Sequence, residues 1–155
     1  MIRPDMVIPP QTTEADVYVH IEWRPAGPVT LDAAAKLRFP TLPALPGLYE
    51  IEIGGDSPSV YIGESDDLRR RMGHYRNPGP TQQTNIRLSN LIKSHVLAAP
   101  VSMSIATTVT VTWASEHTET LDLQGKTARL VGESVWLLHR QRHGTKIENA
   151  AEKAT

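Results

Sequence analysis

The sequence predicts an α+β fold, in which a small mixed β-sheet is flanked by helices and an N-terminal extension contributes one strand. Alternating extended runs surround a glycine-rich turn in the middle of the chain. Two later segments repeat apolar residues at helical spacing. A chain of 155 residues that is 39% hydrophobic can bury one core, so we expect a single domain with an extension.

The first part of the chain predicts a proline-rich, acidic extension over residues 1–43. Eight of the twelve prolines lie in the first 46 residues. The alternation of residues 17–23 predicts one strand, and residues 31–37 are compatible with a short helix. Whether the strand adds to the sheet, covers the core or forms a dimer interface stays open at this point.

A β-hairpin is predicted from residues 47–63. Large apolar residues alternate with Glu50 and Glu52 up to residue 53, the turn Gly-Gly-Asp-Ser-Pro-Ser occupies residues 54–59, and a second extended run follows. Ser65 and two aspartates then predict a helix start, because a hydroxyl can cap the helix and acidic residues complement its dipole. This helix should end near Arg76, before Asn-Pro-Gly-Pro.

The second half of the chain predicts two further helices around a strand. Residues 85–97 have helical spacing, and residues 101–113 alternate over two short runs, as in a long or broken strand. The last helix should end near Arg142, with Gly144 as its stop. This helix is predicted because Ala128, Val131, Val135 and Leu138 recur at helical spacing.

Composition excludes several classes of site. The chain has no cysteine, which excludes disulfides, thiolate nucleophiles and zinc ribbons and favours a cytoplasmic protein. No apolar run approaches the roughly 18 residues that a membrane span needs, so no membrane partner is expected. The N-terminal residues also lack the pattern of a secretory signal.

The net charge of −1 hides an asymmetry between the two halves of the chain. Residues 1–67 contain four lysine or arginine residues against eleven aspartate or glutamate residues, a net charge of −7. Residues 68–155 contain twelve against six, a net charge of +6. This asymmetry indicates an anionic partner for the second half.

One helix face combines core residues with an arginine. Leu68, Arg71, Met72 and Tyr75 share a face at helical spacing. A guanidinium there must be paired or line a cleft, because its burial alone is costly. An equally good interpretation is that its stem packs while its charged head reaches water.

These residues belong to a pattern that closely resembles the motif of the GIY-YIG nuclease family. The pattern consists of Gly-Leu-Tyr at residues 47–49, Tyr-Ile-Gly at residues 61–63 and the helix that contains Arg71. A later signature of the family, a helical glutamate followed by an asparagine, resembles Glu133 with Asn149. The resemblance covers about residues 44–150, which leaves residues 151–155 as a tail, and it implies a small mixed three-stranded β-sheet flanked by helices.

The resemblance implies catalytic roles for four residues. Tyr49 would accept the proton of the attacking water, Tyr61 would orient water or phosphate, and Arg71 would hold the scissile phosphate with its planar fork of donors. Glu133 would bind a single Mg²⁺ or Mn²⁺ through its carboxylate. From the residues alone, Tyr49 is more readily a strand residue that fills one face of the hairpin, and Glu133 a solvent-facing carboxylate.

Further residues are expected around this site. Substrate binding is predicted for the polar and basic residues of the helix, although a solvated helix face is typical of the same pattern: Arg69, Arg70, His74, Tyr75 and Arg76. Tyr75 matches a family position that holds histidine or tyrosine, and His74 is the alternative. Structural support of the site is expected from Gly47, Gly63, Ser65 and Asn149.

The predicted function is that of a metal-dependent DNA endonuclease, which nicks or cleaves phosphodiester bonds as repair, restriction and structure-specific enzymes do. The expected partner is DNA. Specificity would come from substrate shape, a homodimer or a partner protein, because no zinc finger or helix-turn-helix pattern is present in the sequence. The alternative is a catalytically inactive DNA-binding or scaffold protein that retains the fold.

Overall fold

The structure, a computed structural model, describes residues 14–114 and 117–149. Within these residues the chain forms nine strands and three helices, which confirms the predicted α+β class. The strands are β1 (Val17–Ile21), β2 (Arg24–Leu31), β3 (Leu37–Arg38), β4 (Gly47–Ile53), β5 (Ser59–Ser65), β6 (Val101–Ala106), β7 (Val109–Trp113), β8 (His117–Thr120) and β9 (Lys146–Ile147). The helices are α1 (Leu68–Arg76), α2 (Gln83–Val96) and α3 (Lys126–Arg142).

The larger of the two sheets has six strands in the order β3-β2-β6-β4-β5-β9, so the expected three-stranded sheet was too small. The predicted hairpin of β4 and β5 lies beside β6 at the centre. Strands β2 and β3 extend the sheet on one side and β9 on the other. Only β5 and β9 pair in parallel, which makes the sheet mixed. The prediction missed β2 because its two prolines and its glycine weaken a strand pattern.

The extension contributes three strands, β1, β2 and β3, rather than the single strand expected. The predicted strand is β1, and it pairs with β7 in a second sheet of order β1-β7-β8. Val19 and Ile21 pack against a buried cluster that contains Leu48, Ala106 and Val109, so β1 covers part of the core. Residues 31–37 do not form a helix. They turn instead, because a carboxylate oxygen of Asp32 accepts the backbone N–H groups of Ala34 and Lys36.

The two faces of the six-stranded sheet are covered by different helices. Tyr49 and Ile51 of β4 enter the main core cluster together with Met72 of α1 and Ile92 of α2. Leu48, on the opposite face of β4, meets α3 at Gly132. The alternation of β4 therefore directs odd-numbered residues towards α1 and α2, and even-numbered residues towards α3.

Helix α3 buries other residues than the four apolar ones that recur at helical spacing. Leu138 and Leu130 are 60% and 41% exposed, whereas Arg129, Gly132 and Leu137 are buried. Polar contacts to the sheet help to select this inner face. The Glu50 carboxylate accepts the indole N–H of Trp136 at 2.6 Å and binds Arg140 through both of its oxygens. The helix does end at Arg142, and Gly144 has a φ of 73°.

The start of α1 also differs in detail from its prediction. The N-cap is Asp67, whose carboxylate accepts the backbone N–H of Arg70 at 3.0 Å. Ser65 was expected to cap the helix, but its hydroxyl stabilises the preceding turn by accepting the N–H of Asp67 and donating to its carbonyl oxygen. The acidic residue replaces the hydroxyl because it lies directly before the first helical turn.

Helices α1, α2 and α3 contain 9, 14 and 17 residues. In the part of the chain that the structure describes, no helix combines the length and the apolar character needed to cross a membrane.

Gly47 provides a test of the packing at the start of the hairpin. A Cβ atom at this position would lie 2.6 Å from the carbonyl oxygen of Ala106, a backbone atom that cannot turn aside. We expect Gly47→Ala to lower the free energy of unfolding by about 1–3 kcal/mol, measured by urea denaturation.

Gly73→Ala is the matched control. A Cβ atom at Gly73 meets nothing within 4 Å on the exposed side of α1, and alanine has the higher helix propensity. We expect this variant to be as stable as the wild type or more stable by about 0.5–1 kcal/mol. Equal stability of the two variants would contradict the packing argument.

Candidate active site

A cluster of three tyrosines and one arginine forms where the hairpin meets α1. Strand β4 supplies Tyr49, β5 supplies Tyr61, and α1 supplies Arg71 and Tyr75. Only residues 66 and 67 separate β5 from α1, so the helix folds directly back over the hairpin. The backbone N–H of Leu68 donates to the carbonyl oxygen of Leu45 at 2.9 Å and fixes this return.

The position of the Tyr49 ring depends on Gly63. These two residues are cross-strand partners in the hairpin. A Cβ atom at residue 63 would lie 2.3 Å from both Cζ and the hydroxyl oxygen of Tyr49. The ring therefore crosses over β5 only because residue 63 has no side chain.

The tyrosine rings are close together and almost completely buried. The centroids of Tyr49 and Tyr61 are 6.4 Å apart, and those of Tyr49 and Tyr75 are 6.1 Å apart with an edge-on orientation. The hydroxyl groups of Tyr49 and Tyr75 share a hydrogen bond. The exposed fraction is 1% for Tyr49 and Tyr75 and 7% for Tyr61. Of the three, Tyr61 is therefore the side chain nearest to solvent.

Burial keeps the hydroxyl groups protonated. It raises the pKa of Tyr49 well above its ordinary value, and the neighbouring tyrosines add to this shift while Arg71 opposes it. Burial also raises the pKa of Tyr75, although hydrogen bonds with Tyr49, Tyr61 and Arg71 work in the opposite direction. At neutral pH both groups are hydrogen-bond donors. This state does not suit the role of direct proton acceptor expected for Tyr49.

Arg71 is half-buried and remains charged beside the tyrosines. Partial burial opposes its charge, but the electrostatic influence of Tyr49 and Tyr75, a hydrogen bond with Tyr75 and the influence of Glu64 together raise its pKa. The site thus combines a fixed guanidinium with neutral hydroxyl donors. Such a combination is suited to a phosphate group.

The other arginines of α1 bind groups of the protein itself. Arg69 Nε donates to the carbonyl oxygen of Leu42 at 2.8 Å, and Arg70 pairs with Asp66 at 2.5 Å. Arg76 pairs with Asp32 at 2.6 Å. Their expected contacts with substrate would require these bonds to be shared or broken. His74 is half-buried next to Tyr75.

Residues 32–42 of the extension form a strap along α1. Besides the pair with Asp32, Arg76 donates to the carbonyl oxygen of Leu37 at 2.7 Å. The guanidinium lowers the pKa of the Asp32 carboxyl. Phe39 contacts the ring of Tyr75, with the centroids 6.4 Å apart. The extension therefore helps to hold the helix that contains Arg71.

Asn149 braces β5 from its outer edge. The side-chain amide donates to the carbonyl oxygen of Ile62 at 2.6 Å and accepts the N–H of the same residue at 2.9 Å. It therefore takes the place of a neighbouring strand beside Tyr61 and Gly63.

Glu133 lies on α3, one turn after Arg129 and one turn before Leu137, both of which are buried. The glutamate is half-buried on the side of α3 that faces the sheet. The tyrosines lie on the opposite face of that sheet, so the structure does not bring Glu133 into the tyrosine cluster. Near the end of β5, Glu64 pairs with Arg129 of α3 and acts electrostatically on Arg71 of α1.

Glu64 and Arg129 form an ion pair that the sequence did not single out. Their Oε2 and Nε atoms are 2.6 Å apart, and only 13% and 8% of the two side chains are exposed. The sequence places each residue next to a residue of the motif, since Glu64 directly follows Gly63 and Arg129 precedes Glu133 by one helical turn. These positions do not indicate that Glu64 and Arg129 are in contact.

The donors available for a divalent cation are carboxylates. Glu64 and Glu133 offer the hard oxygen atoms that Mg²⁺ prefers, and Mg²⁺ usually retains several waters and uses only one or two protein carboxylates. Residues 14–114 and 117–149 contain no group of three or more histidine, aspartate or glutamate side chains that could hold a metal ion. Glu133 supplies one such carboxylate, but it lies across the sheet from Arg71 and the tyrosines.

A cavity of about 640 Å³ lies at the turn end of the hairpin, away from the tyrosine cluster. Its lining includes Glu52, Arg140 and Lys146. Arg140 already binds Glu50 and Glu52, which balances its charge. We therefore place the candidate site at the tyrosine cluster, where Arg71 lies among hydroxyl donors.

Comparison of the chain with protein-family models, with curated proteins and with solved structures found no match.

The buried tyrosines predict a loss of stability in alkali. The pKa of an unfolded tyrosine is about 10, so above that pH the unfolded chain loses protons that folded Tyr49 and Tyr75 retain. We expect the free energy of unfolding to fall above pH 10, by about 1.4 kcal/mol per pH unit for each such tyrosine. Below pH 10, these tyrosines should not make the free energy of unfolding depend on pH.

Tyr49→Phe tests this assignment. The variant lacks the hydrogen bond to Tyr75, so its free energy of unfolding at pH 7 should be lower by about 1 kcal/mol. Above pH 10, its free energy of unfolding should fall less steeply than that of the wild type, by about 1.4 kcal/mol per pH unit, because one buried tyrosine is gone. Denaturant unfolding between pH 8 and pH 11.5 measures both quantities. An unchanged slope would contradict the burial of Tyr49.

Proposed function

We propose that this protein is a metal-dependent endonuclease of the GIY-YIG type that hydrolyses phosphodiester bonds of DNA. The observation that supports this proposal is the convergence of Arg71 with Tyr49, Tyr61 and Tyr75 at the start of α1. These residues come from the two tripeptides and the helix that resemble the family motif. Their meeting in space is what a shared site requires.

Arg71 is the group that we assign to the scissile phosphate. A guanidinium offers two parallel donors to two phosphate oxygens, and a charge placed in advance stabilises the charge that develops during hydrolysis. The tyrosines limit the movement of Arg71, since Tyr75 is hydrogen-bonded both to it and to Tyr49. Preorganisation of this kind lowers the barrier without requiring reorganisation during the reaction.

We assign different roles to the tyrosines than the motif alone suggested. Tyr61, the most exposed of the three, is suited to orient water or a phosphate oxygen through its hydroxyl. Tyr49 is suited to hold Tyr75 in place, because its own hydroxyl is buried and its pKa is raised. Proton transfer from water to Tyr49 would have to pass through another hydroxyl of the cluster.

Glu133 is the residue that we assign to a divalent cation, one helical turn after the Arg129 that pairs with Glu64. When bound, Mg²⁺ or Mn²⁺ supplies Lewis-acid stabilisation of phosphate charge and lowers the pKa of water. This assignment rests on the resemblance of Glu133 and Asn149 to the later signature of the family. DNA would complete the set of oxygen ligands, so that the cation binds firmly only with substrate.

The alternative is a protein that keeps the fold and binds DNA or another partner without cutting it. The burial and mutual pairing of Tyr49 and Tyr75 favour this alternative, because neither hydroxyl reaches solvent directly. Cleavage by the wild-type protein separates the two functions. Binding of DNA without cleavage in either metal would favour the inactive form.

The proposed activity predicts cleavage that depends on Arg71 and on Glu133. The wild-type protein should nick or cut plasmid, branched or flap DNA in Mg²⁺ or Mn²⁺, as resolved by gel electrophoresis. Arg71→Ala and Glu133→Gln should each lower the cleavage rate by at least about a hundredfold, because each removes a charge that stabilises the transition state.

Arg24→Ala is the control for the loss of one positive charge. The Arg24 side chain is 72% exposed on β2 and pairs only with Glu22 among the described residues. The cleavage rate of this variant should therefore equal that of the wild type. The melting temperature of each variant should be measured to exclude unfolding. Full activity of Glu133→Gln would remove the metal role of this residue.

Most arginines of α1 are already bound to acceptors within the protein, so we expect Arg71 to be the one that contacts phosphate. Each phosphate contact that is lost should reduce the magnitude of the slope of log K against log salt by about 0.9. We expect Arg71→Gln to show this reduction, whereas Arg70→Gln should not, because Arg70 is already paired with Asp66. Titration of a labelled duplex between 50 and 200 mM salt in EDTA measures both slopes, and equal reductions would contradict the assignment.

A further inference from the structure

Helix α3 has an apolar side that the rest of the described chain leaves partly open. Leu130 and Leu138 are 41% and 60% exposed, and Val131 and Val135 are half-buried. Val131, Val135 and Leu138 recur at helical spacing and therefore share one side of the helix, away from the residues that the sheet buries. Clustered apolar side chains at the surface of a protein are typical of an interaction site.

Two adjacent cavities continue this side of α3 towards β1. One cavity, of about 210 Å³, lies between the helix and residues 19–21 of β1. The other, of about 220 Å³, lies nearer the end of the helix and is lined by Val135, Leu138, His139, Arg142 and His143. Because Val135 and His139 line both cavities, the two form one groove, which we call the α3–β1 groove.

Exposed charges of opposite sign lie at the two ends of the α3–β1 groove. Arg142 lines the end that α3 supplies, and it is exposed. On the side of β1, exposed Glu14 and Asp16 come just before Val17 and Tyr18, which are 47% and 66% exposed. Among the described residues, Glu14, Asp16 and Arg142 take part in no ion pair. The groove therefore presents apolar surface between an acidic end and a basic end.

A surface of this kind is complementary to a second copy of itself. In a twofold-symmetric dimer the same patch of both protomers forms the interface, and each contact occurs twice. A twofold axis through the middle of the groove places the acidic start of β1 opposite the basic end of α3 in the other protomer. The apolar residues of both helices are then covered between two pairs of opposite charges, which favour this arrangement over one that brings like charges together.

We propose that the α3–β1 groove is the interface of a twofold-symmetric homodimer, in which Leu138 is buried and Asp16 of each protomer pairs with Arg142 of the other. A second copy suits the groove because one chain supplies both members of the charge pair. The tyrosine cluster and α1 lie on the opposite face of the six-stranded sheet, so this dimer leaves them uncovered. The inference does not depend on the proposed function.

The test measures the oligomeric state of the full chain by sedimentation velocity over a range of protein concentrations. The wild-type protein should reach twice the mass of one chain as its concentration rises. Leu138→Asp should raise the Kd of the dimer at least about tenfold, because the interface would bury a carboxylate without a partner.

Leu97→Asp is the matched control, since it makes the same substitution outside the groove. Leu97 follows the end of α2 and is 79% exposed. The Kd of the dimer should change by no more than about twofold in this variant, as is usual for a surface substitution away from an interface. If Leu138→Asp and Leu97→Asp dimerise equally well, the proposal is wrong.

Charge reversal tests the orientation of the two protomers. Asp16→Arg and Arg142→Asp should each raise the Kd of the dimer about tenfold, because each turns two attractive contacts into repulsive ones. The double variant Asp16→Arg/Arg142→Asp restores both pairs with the charges exchanged, so its Kd should return to within about threefold of the wild-type value. Double-variant protein that dimerises more weakly than either single variant would contradict the pairing.

The remaining outcomes also decide the proposal. A wild-type protein that stays monomeric at every concentration overturns it, and the groove then belongs to another part of the chain or to a different partner. Circular dichroism should show that each variant is folded, since every substituted side chain is exposed. If Leu138→Asp does not fold, the charge-reversal comparison still tests the interface. Cleavage of DNA has no part in these measurements, so a failure of the proposed function would leave their result unchanged.

Discussion

The contact between the Tyr49 ring and Gly63 is the constraint on which the site depends. The ring can cross β5 only where the partner strand has no Cβ atom, and this crossing brings its hydroxyl to Tyr75 on α1. The contact thus connects the pairing of β4 with β5 to the packing of a helix above them. Arg71, one turn before Tyr75, acquires its position from the same arrangement. A local steric condition in a hairpin therefore determines the geometry of a charged group on another element.

The central elements of the fold could be predicted from the sequence because their signals are local. The hairpin follows from alternation around a glycine-rich turn, and the spacing of α1 and α2 identifies them as helices. Strands β2 and β3 have no such signal, since β2 contains prolines and forms only through pairing with β6, far away in sequence. The face that α3 turns towards the sheet depends on Glu50 of β4, which binds Trp136 and Arg140 of the helix. Periodicity cannot detect contacts of that kind.

For the candidate site, the sequence indicated the residue types and the structure added their states of charge and burial. Arg71 and Tyr75 share the helix face that their spacing predicted. Spacing does not show that Tyr49 is buried, nor that Arg69, Arg70 and Arg76 are already bound by acceptors within the protein. The pair of Glu64 and Arg129 joins residues that lie 65 positions apart. Basic residues counted along a helix are therefore a poor measure of the charge that a helix offers to DNA.

The pairing of β2 with β6 has a consequence for the solubility of shortened forms of the chain. Strand β6 has the sequence Val-Ser-Met-Ser-Ile-Ala, and β2 covers the edge that it would otherwise present. Without the extension, this short, uncharged strand would display a row of unpaired backbone N–H and C=O groups at the edge of the sheet. Such edges recruit further strands and lead to aggregation. The proline-rich extension thus protects the central sheet from self-association, with prolines that themselves discourage pairing on the outer side of β2.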